Sequence, residues 1–243
     1  MKNKIRIIKD GFHKASFNMA ADELLFREAQ MKTDNEAVIR LYGFDSQAVT
    51  VGICQKLKND ASLMDYFKEN TDFTRRITGG GAVLHNDDLT YSIITHNTFH
   101  PSFNRIDTSY QVIHSSIKNA ARKIGKNIYF HDKSDNNFMG TKECFINPVK
   151  NDLMYNGQKI AGAAQKRRRG YILHQGSILL RPFLRNGETF LNLFQRMSDA
   201  LIDSFCEYFC ADRNEYPLTE DELKEVYILE EEKYSVKEWV LRN

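Results

Sequence analysis

Apolar and polar positions along this chain repeat with two periods, near two and near 3.6 residues, and the switches between them divide it into strands and helices. Lys4 to Ile8, Ala37 to Tyr42, Ala48 to Ile53, Phe73 to Ile77, Gly81 to Leu84 and Leu89 to Thr95 read as strands. Ser16 reads as the cap of a helix from about Phe17 to Gln30, with Met19, Leu24, Leu25 and Phe26 as its apolar contacts, and Leu63 to Glu69 reads as a short helix. Between Thr108 and Ile124 the positions Val112, Ile113, Ile117, Ala120 and Ala121 recur at helical spacing, and Gly125 ends that helix. Ile128 to Phe130 is a short strand, and the polar, glycine-containing stretch from His131 to Lys142 reads as a loop. Asp152 to Tyr155, Asn156-Gly157 and Lys159 to Ala164 predict a hairpin, because Asn-Gly tolerates the two positive φ angles of a type I′ turn. Tyr171 to Leu180 is a further strand and Thr189 to Phe209 a long amphipathic helix. A second helix follows Thr219, a plausible cap with acidic residues behind it, where the helix dipole favours negative charge.

Strands with interspersed helices and hairpins predict an α/β fold, a mixed sheet flanked by helices. Without repeats, low-complexity stretches or a proline-rich linker, residues 1–243 read as one catalytic domain with a helical end from about residue 189.

Composition narrows the classes. A formal net charge of +2 gives no general electrostatic reason to expect nucleic-acid or membrane binding. No signal-peptide pattern and no long apolar run is present, so a cytoplasmic, soluble protein is expected, a monomer by default. The cysteines Cys54, Cys144, Cys206 and Cys210 form no C-x-x-C pair and no zinc spacing, so no metal is expected and free thiols are. Cys206 and Cys210 read as partly buried small hydrophobes.

Four segments carry candidate chemistry. Arg75-Arg76-Ile77-Thr78-Gly79-Gly80-Gly81 lets backbone N–H groups approach a ligand closely, though a glycine hairpin with two solvated arginines fits equally; it is not a Walker A loop. Lys159-Ile160-Ala161-Gly162-Ala163-Ala164 pairs a lysine with small residues that leave room for a slender ligand. Strand alternation puts Lys159 and Ala161 on one face, and a surface lysine on a hairpin is the plainer alternative. Cys144 is either a core filler or a nucleophile eased by Lys142 and opposed by Glu143; His85, His131 and His174 are candidate general bases or structural histidines. The run Lys166 to Arg169 is a solvated loop or a docking patch for an acidic partner.

Assembled, these segments resemble the lipoate-protein ligase and octanoyltransferase family, which shares its catalytic fold with biotin-protein ligases. The resemblance runs from about Ser16 to Trp239, and its strongest part is the Arg-Arg-x-x-Gly-Gly-Gly loop followed by Lys-Ile-Ala-Gly-Ala-Ala-Gln. It implies an acyl tunnel over the sheet, with Cys144 and Lys159 catalytic and Arg75, Arg76, Gly79, Gly80, Gly81, His85, Gly162 and Ala163 binding substrate. Cys144 lies where the Bacillus-type transferase branch carries its nucleophile, eight residues before Asp152. That branch implies octanoyl (or lipoyl) transfer from acyl carrier protein to the lysine of a lipoyl domain or glycine cleavage H protein, without cofactor. The ligase branch implies ATP and Mg with a lipoyl-adenylate. Many ligases carry an accessory C-terminal domain, for which too little chain follows Leu180, and some ligases receive that domain as a separate polypeptide, so both branches stay open. Cys54 departs from the large residue usual in the family. A non-catalytic acyl-binding module remains a third class, and an unrelated cysteine hydrolase is disfavoured by the lack of a local Cys/His signature.

Overall fold

The computed structural model describes residues 3–32, 36–57, 61–68, 72–131 and 152–242. The chain opens with strand β1 (Asn3–His13) and helix α1 (Ala15–Ala29), followed by β2 (Glu36–Phe44), β3 (Ala48–Val51), α2 (Ala61–Lys68), β4 (Asp72–Arg75) and β5 (Val83–His85). Next come β6 (Asp88–His96), α3 (Ile106–Lys123), β7 (Tyr129–Phe130), β8 (Leu153–Tyr155), β9 (Gln158–Arg168) and β10 (Tyr171–Leu179). Helix α4 (Phe190–Phe209), β11 (Ala211–Glu215), α5 (Glu220–Leu229), a π turn (Glu230–Tyr234) and α6 (Lys237–Val240) complete it.

Among the described residues, eight strands form a mixed sheet in the order β11-β1-β2-β6-β10-β9-β8-β7, and β4-β3-β5 form a second, three-stranded sheet. The expected α/β architecture, a mixed sheet flanked by helices, is therefore present. Side chains alternate across the large sheet. Ile5 and Ile7 of β1, Ile39 and Leu41 of β2, and Leu89, Tyr91 and Ile93 of β6 join α3 and α4 in one core. Ile8, Val38, Tyr42 and Ile94 face the other way, into a second core with α1 and α5. Almost every residue of α1 from Ala15 to Phe26 is buried, Asn18, Asp22 and Glu23 included, which a surface helix with one apolar stripe would not show.

Three local expectations are corrected. Ser16 is not the cap of α1: Lys14 stands there without a side-chain bond, and Asp72 of β4 accepts from the Ala15 N–H at 2.6 Å, so the cap comes from another strand. The C-terminal end is not wholly helical, because the polar segment Ala211–Glu215 pairs in parallel with β1. Lys166 to Arg168 belong to β9 rather than to a loop, and Arg167 reaches inward to the carbonyl of Phe103 at 2.7 Å and to Ser109 Oγ at 2.9 Å. The Asn156-Gly157 turn holds φ of 50° and 78°, as the hairpin requires, and Thr219 caps α5 reciprocally with Glu222. No helix among the described residues is long and apolar enough to cross a membrane.

Candidate active site

A cleft with about 420 Å³ of empty space, its open mouth included, lies on the α1 side of the large sheet. Gly162, Ala163 and Ala164 of β9 and Gly176 of β10 line it, with Gly80 opposite and Met19, Tyr42 and Val83 contributing apolar wall. Small side chains at these positions create a slot rather than a broad bowl. Gly176 is required there, because a Cβ would lie 2.3 Å from the Tyr91 hydroxyl.

The two arginines of the glycine loop have different tasks. Arg76 lines the cleft and donates to the carbonyls of Thr50 (2.9 Å), Gly79 (2.7 Å) and Gly81 (2.6 Å), clamping the loop onto β3. Arg75 is fully buried and does not line the cleft. Its guanidinium joins the carbonyls of Gly52 and Gln55 (2.7 and 2.9 Å) to those of Val240 and Arg242 (3.0 and 2.9 Å), tying the loop after β3 to the chain's C-terminal end. The solvated-arginine alternative is thus excluded for both. Of the three loop glycines only Gly80, at φ 85°, is a wall residue; Gly79 and Gly81 act through carbonyls that accept from Arg76.

Lys159 is buried and pairs with Asp152 Oδ2 at 2.8 Å, so the surface-lysine alternative fails. The expected shared face with Ala161 also fails, for a geometric reason. Met154 pairs with Lys159 but Leu153 pairs with Ala161, which leaves Ile160 as the extra residue of a bulge. Paired residues share a face and successive ones alternate, so Lys159 and Ala161 lie on opposite faces. Ala161 packs into the α3/α4 core, and Lys159 is turned to the side where Gly162 and Ala164 line the cleft. Cys144 lies outside the described residues, as does most of the loop expected after His131. Cys54 is exposed and does not line the cleft; Cys206 is half-buried and Cys210 exposed, so only the first of that pair matches expectation.

Beneath the cleft is a buried polar hub that the motif reading passed over. Asp22, fully buried, accepts from Arg40 (3.0 Å), Tyr42 (2.8 Å), Ser92 (2.8 Å) and Gln175 (2.7 Å). Gln175 accepts in turn from Thr78 Oγ1 at 2.7 Å, which connects α1 to the glycine loop. His85 lines the cleft with Nδ1 2.8 Å from Asp88 Oδ2 and Nε2 2.9 Å from Thr50 Oγ1, its ring stacked on Phe44 at 3.9 Å. Burial alone would raise the Asp88 carboxyl, but His85 and the hydroxyls of Ser177 and Thr90 hold it below the usual carboxylate range. His174 lies on the other face against Tyr91 and Tyr110, and desolvation, with His114 and Arg167 nearby, keeps it neutral well below its ordinary pKa. It is away from the cleft wall.

The model for the lipoyl protein ligase A/B catalytic domain matches residues 14–227. This chain belongs to that family. Octanoyltransferase LipM of Bacillus subtilis strain 168 is 32% identical over 275 aligned positions, covering 98% of each chain. A putative lipoate protein ligase from T. acidophilum superposes with a TM-score of 0.77 at 23% identity over 99% of both chains, and a lipoate-protein ligase A bound with ATP with 0.75 at 24% over 98% of both. At those identities the two structures establish the fold.

Within the family frame, the signal that could have exposed the hub is compositional. Asn18, Asp22 and Glu23 interrupt a helical stretch that is otherwise apolar from Phe17 to Phe26, and Arg40 interrupts a strand apolar on both sides. Polar residues at such positions need partners, and here Arg40 is the partner of Asn18 and Asp22.

Proposed function

We propose that this protein transfers an octanoyl (or lipoyl) group from an acyl carrier protein to the lysine ε-amine of a lipoyl domain or glycine cleavage H protein, in the cytoplasm and without a cofactor. The observation that carries the reading is the bulge at Ile160, which puts the buried Lys159, paired with Asp152, on the same face of β9 as Gly162 and Ala164 of the slot wall, although Lys159 is not itself a wall residue. A slender acyl chain fits a slot of this kind, and an ammonium on the same face of the sheet is suited to a carbonyl oxygen that becomes anionic. Full-length similarity to a protein named as an octanoyltransferase supports the acyl group and the acceptor class.

In this reading the Cys144 thiolate attacks the donor thioester carbon, the carbon–sulfur bond to the carrier breaks, and the carrier thiolate takes up a proton. The acceptor amine then attacks the Cys144 thioester, an amide forms, and the cysteine sulfur departs as the amine loses its proton. Thioester exchange is near neutral and aminolysis downhill, so ATP is not consumed; covalent capture divides one hard step into two. Lys159 stabilises the oxyanion of each tetrahedral intermediate.

The test is intact-protein mass spectrometry after mixing with octanoyl-carrier protein, without ATP and without acceptor. The expected result is an octanoyl adduct that disappears in Cys144→Ala and survives in Cys54→Ala. No adduct, with acceptor modification only after ATP, Mg and free lipoate are supplied, would overturn the covalent route in favour of an adenylating ligase. Acyl binding without turnover under either condition would leave a binding module.

A further inference from the structure

His85 has a second relationship, independent of Lys159 and Cys144. Its Nδ1 is 2.8 Å from Asp88 Oδ2, and its Nε2 is 2.9 Å from Thr50 Oγ1. Asp88 is held by Thr90 at 2.9 Å and by the Ser177 hydroxyl, both of which donate to the same oxygen as His85. A carboxylate so placed accepts and does not donate, so Nδ1 carries a proton, and in the neutral imidazole Nε2 is the acceptor for the Thr50 hydroxyl hydrogen. Nucleophile, base and orienting acid are thus in hydrogen-bond sequence, the arrangement by which an activated hydroxyl is recognised whatever its order in the chain. Three further observations favour chemistry at this point. Thr50 and His85 both line the cleft, along with Arg76. Arg76 Nη1 lies 3.3 Å from Thr50 Oγ1, which favours an oxygen with developing negative charge. The Phe44 ring, stacked on His85 at 3.9 Å, fixes the imidazole plane.

We propose that Thr50, His85 and Asp88 form a hydrolytic triad on the cleft wall that discharges medium-chain acyl thioesters and esters as the free acid, separately from transfer to lysine. The proposal rests on the reading of the cleft as an acyl site. Thr50 Oγ1 bonds to the acyl carbon while its proton passes to His85 Nε2. The carbon–sulfur bond breaks and the departing thiolate takes that proton. Water then attacks the threonine ester and gives a proton to His85; the acyl–oxygen bond breaks, and Thr50 recovers the proton. One water is consumed, and a carboxylic acid and a thiol are released. Such an activity would clear acyl groups that meet no acceptor.

The test separates this from a purely structural brace. The full chain carrying Cys144→Ala, so that thiol capture is absent, is treated with an octyl fluorophosphonate, which modifies activated hydroxyls, and the site is found by peptide mass spectrometry. The expected result is a phosphonyl adduct on the Thr50 peptide, absent after Thr50→Val and formed about 100-fold more slowly after His85→Gln, the loss typical of a missing general base. Octanoate binding by calorimetry is measured on each variant. No adduct on Thr50 in a protein that binds octanoate overturns the triad and leaves the acyl site standing. Failure of the unsubstituted chain to bind octanoate overturns both readings.

Discussion

The two faces of the large sheet are built on different principles. Under α3 and α4, rings pack on rings: Phe103 stacks on Phe209 at 5.5 Å and Phe99 meets Phe209 edge-on at 5.7 Å. Under α1 the face carries buried charge, with Arg40 between Asp10 and Asp22 and Glu23 held by Lys233 and Tyr234, and the same face of β9 carries Lys159 paired with Asp152. Buried ion pairs contribute little net stability over apolar packing of the same volume, because desolvation offsets their attraction. The contrast assigns the aromatic face to stability and the charged face to holding the slot, the glycine loop and Lys159 in place.

The largest break in that contrast is Lys159→Ala. If the ammonium stabilises an oxyanion, octanoyl transfer to acceptor falls by about 10²–10³. Loss of the buried Lys159–Asp152 pair also lowers stability, by about 3–5 kcal/mol, so rates are expressed per folded molecule from circular dichroism melts. A normal rate per folded molecule would make the charged face as purely structural as the aromatic one. Next is Phe103→Ala, fully buried between Phe99, Phe209 and the sheet. It is expected to cost about 3–5 kcal/mol in urea unfolding with the rate per folded molecule unchanged. Loss of activity without loss of stability would reverse the assignment.

The aromatic face was the more legible in sequence. The helical spacing of Val112, Ile113 and Ile117, the β-branched run of β6 and the Asn-Gly turn are local signals, and each element formed where its pattern lay. The charged face was legible only as isolated motifs. Arg75 and Arg76 read alike in the chain, yet one ties the C-terminal end and the other the glycine loop, a difference set by residues more than 160 positions away. The bulge at Ile160 is not itself a glycine or proline; it follows from the register of β8, and it puts Lys159 and Ala161, expected on one face, on opposite faces. Strand β11 was missed because Ala-Asp-Arg-Asn-Glu has a loop's composition and is fixed by pairing with β1.

A smaller, pH-dependent effect tests the far end of the charged face. Arg6 and Glu222 pair in buried surroundings; burial would raise the Glu222 carboxyl, but bonds from Arg6 and from the Thr219 N–H lower it to about 2. A carboxyl depressed in the folded state contributes stability that is present above its unfolded pKa, near 4.5, and is lost as pH falls toward 2. Glu222→Gln is therefore expected to melt lower at neutral pH, by about 2–3 kcal/mol after allowance for screening, and to converge on the parent near pH 2. A parallel offset at every pH would mean that packing, not charge, holds α5 to β1.

The smallest effect is the most local. Gly52 follows β3 directly, and a Cβ there would stand 2.2 Å from the Gly80 carbonyl oxygen and 2.9 Å from that of Gly79. Both obstacles are backbone, so Gly52→Ala must move the glycine loop as a unit. The loop is clamped by Arg76 on one side and faces Ala164 across the slot on the other, so displacement changes the slot's width. Overpacking of this kind costs about 1–3 kcal/mol. It is expected in octanoate affinity by calorimetry, with the melting of the aromatic core little changed. A variant that lost stability but bound octanoate normally would show that the loop braces the fold rather than the slot.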